Sequence, residues 1–223
     1  DASSGAGLLT EAKRVAEQVA VERKSQTVFV AVGGDGTVNL VARAALDAEL
    51  PMGILPFGRE NNIARALLGT IDADKAFMRL GLPTTLIDSL RVGDQLVLSA
   101  AGLGLLPSLH SYLLKKGAPR FGIGWGLVSN DLFKKQSPMA LTLKLDAHRL
   151  AVSTRILSIH LLPYAAGLNL SPMSQRADTH FEVILDRGTK PERASSYVRD
   201  AAAKQLRFGA GLAAYRCAKV TIQ

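Results

Sequence analysis

The chain has 223 residues, 48% of them apolar and 21% charged, which is the composition of a folded globular protein and excludes a disordered one. Its single cysteine, Cys217, excludes an internal disulfide framework. The net charge of +8 is uneven: residues 1–100 carry 10 Lys/Arg and 12 Asp/Glu, whereas residues 101–223 carry 17 and 7. The basic second part indicates either a solvated surface or an acidic partner, such as phosphate, an anionic membrane or nucleic acid.

The first 69 residues alternate between helical and strand patterns. Apolar residues at spacings of three and four predict a helix over residues 9–23. The continuous apolar run 27–32 predicts a strand buried on both faces, as in a parallel sheet. A second helix begins near Val38, a short strand covers Met52 to Leu55, and a third helix ends at Gly69. This order predicts an α/β unit with parallel strands.

The pattern changes at Pro83, and the remainder of the chain is mostly typical of β structure. Alternating residues over 141–145 and 150–156 predict two strands of a hairpin. Two further strands are predicted at Phe181 to Leu185 and at Ala218 to Ile222, whereas residues 108–135 fit either helix or loop.

Residues 30–39, VAVGGDGTVN, place three glycines and an aspartate between a strand and a helix. Glycine allows the backbone to approach a ligand closely, and the helix start offers unpaired N–H groups and a positive dipole end. This predicts an anion site suited to phosphate, although neither GxxxxGK[ST] nor GxGxxG is matched. A carboxylate beside phosphate requires a cation such as Mg²⁺ between them. The alternative is an ordinary turn in which Asp35 caps the helix.

The stretch VAVGGDGTVNLVARAAL resembles the signature of the diacylglycerol kinase catalytic domain family, which includes bacterial lipid kinases and sphingosine and ceramide kinases. Its GGDGT core, Gly33 to Thr37, is also similar to that of NAD kinases. Residues 56–65, PFGRENNIAR, match the family's P-x-G-T-x-N-D/N-x-A-R pattern, with Arg59 where Thr is usual. The resemblance implies an N-terminal three-layer α/β nucleotide-binding lobe with a parallel sheet, about residues 1–82. It also implies a C-terminal β-rich, sandwich-like lobe over residues 83–223.

The resemblance further implies transfer of the γ-phosphate of ATP, with Mg²⁺, to a lipid hydroxyl such as that of diacylglycerol. Asp35 is the implied metal ligand, or the group that polarises the acceptor hydroxyl. Asp178 follows Ser171-Pro172 in a match to the family's "aP…DG" pattern and is the candidate general base, although Thr179 replaces the glycine. Glu182 is assigned to the surface of a strand. The implied nucleotide-binding residues are Gly33, Gly34, Gly36, Thr37, Gly58, Arg59 and Asn61.

Two alternatives stay open. Arg59, Thr179 and the lack of the family's late D-G-E motif favour a relative that binds nucleotide but is inactive. A soluble-substrate kinase of the NAD kinase type is the other. The family's early NPxSG-like loop is also missing, so we expect the chain to lack parts of both ends. The expected partners are a nucleotide and a lipid at a membrane surface, with a homodimer left open and no nucleic acid, in a cytoplasmic, peripherally membrane-associated protein.

Overall fold

In a computed structural model, the chain forms two compact units, Asp1–Leu98 and Ser99–Gln223. The structure describes residues 5–18, 27–119, 122–187, 196–209 and 211–223. Within these ranges, no helix combines the length and the apolar character needed to cross a membrane. The fold is mixed α/β, with one parallel sheet in the first unit and antiparallel sheets elsewhere, which confirms the predicted fold class.

The first unit is built on a parallel pair of strands joined by a helix. Strands β1 (Phe29–Gly33) and β2 (Met52–Pro56) pair in parallel, and α2 (Asp35–Ala48) connects them. The buried side of α2 consists of Val38, Val41, Ala42, Ala44 and Ala45. Helix α1 (Gly5–Gln18) packs against α2, with Lys13 Nζ 2.8 Å from Asp47 Oδ2. The predicted helix over residues 9–23 therefore begins earlier, and residues 19–26 lie outside the described part.

Two short helices and a hairpin complete the first unit. They are α3 (Asn62–Leu68), α4 (Ala73–Phe77), β3 (Leu90–Val92) and β4 (Gln95–Val97). The hairpin packs on α2, and the Leu98 amide donates to Asn39 Oδ1 at 3.0 Å. For this reason the compact unit extends to Leu98, beyond the boundary near Pro83 that the sequence predicts.

The second unit centres on a four-stranded antiparallel sheet in the order β12-β11-β8-β5. Its strands are β5 (Ala100–Gly104), β8 (Ile156–His160), β11 (Phe181–Asp186) and β12 (Leu212–Cys217). Three helices contribute to the hydrophobic core of this unit: α5 (Leu105–Lys116), α6 (Gly122–Lys135) and α7 (Tyr197–Ala202). Since α5 and α6 cover most of residues 108–135, this stretch is largely helical. That core includes Leu105, Leu109, Phe133, Ile184 and Val198.

A three-stranded sheet, β13-β6-β7, contains the predicted hairpin. Its strands are β6 (Met139–Leu145), β7 (His148–Thr154) and β13 (Val220–Ile222). The single strand predicted over 150–156 is interrupted at Arg155, because the fully buried Asp186 accepts hydrogen bonds from the Arg155 and Ile156 amides at 2.5 and 3.0 Å. Two short strands, β9 (Tyr164–Ala165) and β10 (Leu168–Asn169), pair with each other in the same unit.

His160 ends strand β8 and is fully buried. Neither of its ring nitrogens has a hydrogen-bond partner among the described residues. Burial lowers the pKa of His160 to about 4, and the Leu162 backbone opposes this effect. Glu182 lies directly across the sheet from it. The imidazole is therefore neutral in the folded protein at neutral pH.

The contribution of His160 to the stability of the fold should fall when the pH decreases from about 6.5 to about 4, whereas the raised pKa of Glu182 acts in the opposite direction. The unfolded chain binds a proton on His160 in this window and the folded chain does not. This difference lowers the free energy of unfolding by about 3 kcal/mol across the window. Urea unfolding at several pH values measures the slope. His160→Leu should reduce it, whereas the exposed His148→Leu should leave it unchanged; equal slopes in all three proteins would contradict the prediction.

Candidate functional site

Two loops leave neighbouring strands at the same edge of the parallel sheet. Gly33 ends β1 and is aligned with Pro56, which ends β2. The Phe57 amide donates to the Gly33 carbonyl at 3.0 Å, so the loops are joined from their first residues. The carboxyl ends of parallel strands are where open α/β sheets bind ligands. Both sequence motifs therefore fall at the edge of the sheet where a ligand is expected.

The two loops are in contact through their glycine backbones. A Cβ added to Gly34 would lie 3.0 Å from the Cα of Gly58, and a Cβ on Gly58 would overlap the Cα of Gly34. On Gly33, a Cβ would lie 2.6 Å from Thr37 Oγ1. These three glycines are needed because backbone or a short side chain occupies the space that any larger residue would fill.

Asp35 joins the glycine loop to helix α3. Its Oδ2 accepts hydrogen bonds from the backbone N and the side-chain Nδ2 of Asn62, both at 3.0 Å. Its Oδ1 accepts from the Ile63 amide at 2.8 Å. The carboxylate therefore satisfies amides in the first turn of α3, a capping role supplied from a distant part of the chain. The sequence alternative, in which Asp35 caps its own helix, is wrong, because the N-cap residue of α2 is Gly34 and no side chain caps this helix.

Asn61 and Asn62 give the second loop its shape. The Asn61 amide group pairs with both polar groups of Gly58: Oδ1 accepts from its N–H at 2.8 Å and Nδ2 donates to its carbonyl at 2.9 Å. Asn61 itself has a left-handed backbone with φ of 51°. Asn62 Nδ2 also donates to Glu60 Oε2 at 3.0 Å. Sequence reasoning assigned no role to Asn62, although the Asn-Asn pair of the second motif was a signal for it.

The start of α2 supplies the donors that a phosphate needs. The amides of residues 35–37 lie in its first turn, where no earlier helical carbonyl is available to accept from them. Gly36 is exposed, and an added Cβ there would meet nothing within 4 Å. Open space therefore adjoins the N–H groups and the positive end of a 14-residue helix, an arrangement that fits phosphate oxygens.

Two charged residues, Arg59 and Asp35, belong to the two loops of this site. Arg59 is exposed on the second loop, where its cation can reach solvent or a bound anion. Asp35 has three of the about four acceptor positions of a carboxylate in use, which leaves one at Oδ1. Within the described ranges, no three His, Cys, Asp or Glu residues are grouped to hold a metal ion. One remaining position fits Mg²⁺, which usually takes one or two carboxylates and otherwise binds water and substrate phosphates.

Asp178 lies in the second unit, three residues before β11 begins at Phe181. Its Oδ2 accepts from Arg216 at 2.6 Å and its Oδ1 accepts from the His180 amide at 3.0 Å. Thr179 has φ of 61°, a left-handed conformation that favours glycine and is strained for a β-branched residue. Thr179 thus has the backbone conformation that would suit the glycine found at this position in the family's pattern. The two hydrogen bonds fix the carboxylate in place.

Glu182 is not the surface residue that the sequence predicted. It is only 4% exposed on β11, beside His160 on one strand and Arg216 on the other. Burial raises the pKa of the Glu182 carboxyl, and the Arg216 guanidinium acts in the opposite direction. The alternation of β11 could not reveal this, because every residue of that strand is buried.

Comparison with known proteins agrees with this geometry. Residues 7–92 match the family model described as diacylglycerol kinase catalytic domain. A protein of Staphylococcus carnosus (strain TM300) named "Putative lipid kinase" is 36% identical over 85 residues, which cover 37% of this chain and 28% of that relative. The chain therefore matches less than a third of that relative's length.

Solved structures extend the likeness to most of the chain. A crystal structure described as "a putative diacylglycerol kinase" from Bacillus anthracis str. Sterne superposes with a TM-score of 0.74 at 17% identity, over 96% of this chain and 72% of that one. A second, described as diacylglycerol kinase from the same organism, gives 0.68 at 16% identity, over 95% and 70%. At such identities the likeness shows the fold. The family match over residues 7–92, together with this shared fold, confirms the resemblance to the diacylglycerol kinase catalytic domain family.

Gly58→Ala should separate the two loops. The new methyl group would overlap Gly34 and approach Asn61 Oδ1 to 2.7 Å, so the backbones must move apart. Overpacking of this kind costs about 1–3 kcal/mol of unfolding free energy. Thermal and urea unfolding measure it. Gly36→Ala is the matched control and should change stability by less than about 0.5 kcal/mol, since its Cβ meets open space.

Asp35→Ala should loosen the start of α3. The Asn62 and Ile63 amides lose their acceptor, and their hydrogen exchange should accelerate about 10- to 100-fold. Hydrogen exchange with residue-level resolution measures this. Asp47→Ala, on the same helix and paired with the surface Lys13, should leave both amides unchanged. Unchanged exchange in Asp35→Ala would show that the carboxylate does not hold the loops together.

Proposed function

We propose that the chain is part of an ATP-dependent lipid kinase that transfers the γ-phosphate to a lipid hydroxyl, such as that of diacylglycerol. The observation that carries the proposal is the pair of glycine loops at the carboxyl ends of β1 and β2, held together by Asp35 and by the Gly34–Gly58 contact. The match of residues 7–92 to the family model and the names of the relatives support a kinase.

In this proposal the first unit positions the nucleotide. The amides of Gly36 and Thr37, at the start of α2, donate to phosphate oxygens, and the Arg59 cation adds charge at the second loop. Gly33, Gly34, Gly58 and Asn61 act indirectly, because their contacts fix the shape of the loops. Mg²⁺ would neutralise phosphate charge when bound, and Asp35 could offer it the remaining acceptor position at Oδ1.

The second unit supplies the candidate general base. Asp178 would accept the proton of the lipid hydroxyl as its oxygen bonds to the γ-phosphorus and the bond from that phosphorus to the leaving ADP oxygen breaks. Arg216 and the His180 amide keep the carboxylate oriented for this step. The proposed partners are nucleotide and a lipid at a membrane surface, to which the protein would bind peripherally.

The test is an assay of the full-length protein with γ-labelled ATP, Mg²⁺ and dispersed diacylglycerol, with NAD as a second acceptor. The wild type should label the lipid. Asp178→Asn should lower kcat about 10²- to 10⁴-fold, the range for loss of a general base. Asp131→Asn is the control, since that carboxylate is exposed and pairs with Lys135.

Two other outcomes would identify the alternatives. ATP binding without any labelled lipid, measured by calorimetry with the same preparation, would indicate a nucleotide-binding relative without activity. Label on NAD in place of lipid would indicate a kinase of the NAD kinase type. Full activity of Asp178→Asn would remove the general-base role while leaving the kinase proposal in place.

A further inference from the structure

The outer side of the α5–α6 hairpin exposes large apolar side chains. On α6, Ile123 is 81% exposed and Leu127 is 69% exposed, and their spacing of four places them on one helical face. The other side of the same helix is buried at Ser129 and Phe133. Leu114, near the end of α5, is also exposed. Because α6 already has an apolar core-facing side, packing within this unit does not explain the exposed pair.

Basic residues adjoin these side chains. Lys115 and Lys116 form the exposed end of α5, next to the connector that leads to α6. Pro119, which follows α5, lies against α6, since a Cβ on Gly124 would lie 2.9 Å from Pro119 Cβ. We call Leu114, Lys115, Lys116, Ile123 and Leu127 the hairpin tip. No acidic residue occurs in the sequence from Gln95 through Asn130, and the next one, Asp131, is paired with Lys135.

A shallow crevice lies beside the tip. It has a volume of about 420 Å³ and is bordered by Ile123 and Leu127 on one side and by Ser196 and Arg199 on the other. Arg199 is held by Asp200, whose Oδ1 accepts from its Nε at 2.9 Å. The surface therefore combines projecting apolar groups, a recess and positive charge.

We infer that the hairpin tip docks on an anionic lipid bilayer. Apolar side chains that enter the boundary between headgroups and acyl chains, flanked by lysines that meet anionic headgroups, are the features that bind a helix to a membrane surface. A second copy of the chain is a poorer occupant, because a two-fold contact would bring the lysines of both tips together. The surplus of ten positive charges in residues 101–223 supports an anionic partner for this unit.

This inference deepens the proposed function and rests on it. It specifies which surface of the protein would contact the bilayer that contains the lipid substrate. Its evidence is the hairpin tip itself, and its test does not depend on phosphate transfer. The full-length protein is sedimented with vesicles made of an equimolar mixture of phosphatidylcholine and phosphatidylglycerol, and separately with vesicles of phosphatidylcholine alone. Binding should require phosphatidylglycerol and should weaken as salt is added, since salt screens exposed charges.

Variants locate the contact. Ile123→Ser with Leu127→Ser, and separately Lys115→Gln with Lys116→Gln, should each lower the vesicle partition coefficient about tenfold or more. Two matched controls should bind like the wild type. One is Leu86→Ser, which removes a side chain that is 93% exposed in the first unit. The other is Lys134→Gln with Lys135→Gln, which removes the lysine pair at the far end of α6. Circular dichroism and melting temperature verify that all variants are folded.

Three results would overturn the inference: no binding of the wild type to the anionic vesicles, equal binding of all variants, or an equal loss in the controls. A dimer in ultracentrifugation that Ile123→Ser with Leu127→Ser dissociates would also overturn it, by giving the tip to a second copy. Vesicle binding without kinase activity would refute the proposed function alone. Activity on detergent-dispersed lipid without vesicle binding would refute the docking surface alone.

Discussion

The carboxylate of Asp35 is the interaction on which the candidate site depends. It reaches amides 27 and 28 residues further along the chain and fixes the beginning of α3 against the beginning of α2. Without it, two loops that each leave a parallel strand would be joined by the Phe57–Gly33 hydrogen bond and by the close approach of glycine backbones. A charged acceptor suits this position because the first-turn amides of a helix lack internal partners.

This arrangement gives the residues of the GGDGT core different tasks. Gly33 and Gly34 make room for neighbouring atoms, whereas Gly36 faces open space and presents its backbone outward. Asp35 uses most of its acceptor capacity inside the protein, so its part in any phosphate chemistry is limited to one remaining position. Asp35 therefore acts first in positioning the loops, and in the proposed function direct contact with phosphate is assigned to the amides at the start of α2.

The second unit is organised by buried polar groups rather than by close backbone contacts. Asp186 fixes the break between β7 and β8, and Tyr197 donates to the Leu170 carbonyl at 2.9 Å within the core. Glu182 and His160 lie side by side on neighbouring strands, where burial favours the neutral form of each. On the outside, the α5–α6 hairpin exposes apolar and basic side chains together. The unit thus has polar groups in its interior and apolar groups on its outer surface, an arrangement that composition alone would not predict.

The sequence by itself determined the parallel α/β unit, the hairpin of β6 and β7 and both loop motifs, because these depend on local periodicity and on glycine spacing. It could not determine the partners of Asp35 and Asn62, since hydrogen bonds between residues far apart in the chain leave no periodic signal. It missed the burial of Glu182 and the break at Arg155 for the same reason: a neighbouring strand supplies the cover in one case and the Asp186 carboxylate in the other. Tertiary structure decided these features because each depends on which strands and helices come together, and no single segment encodes that.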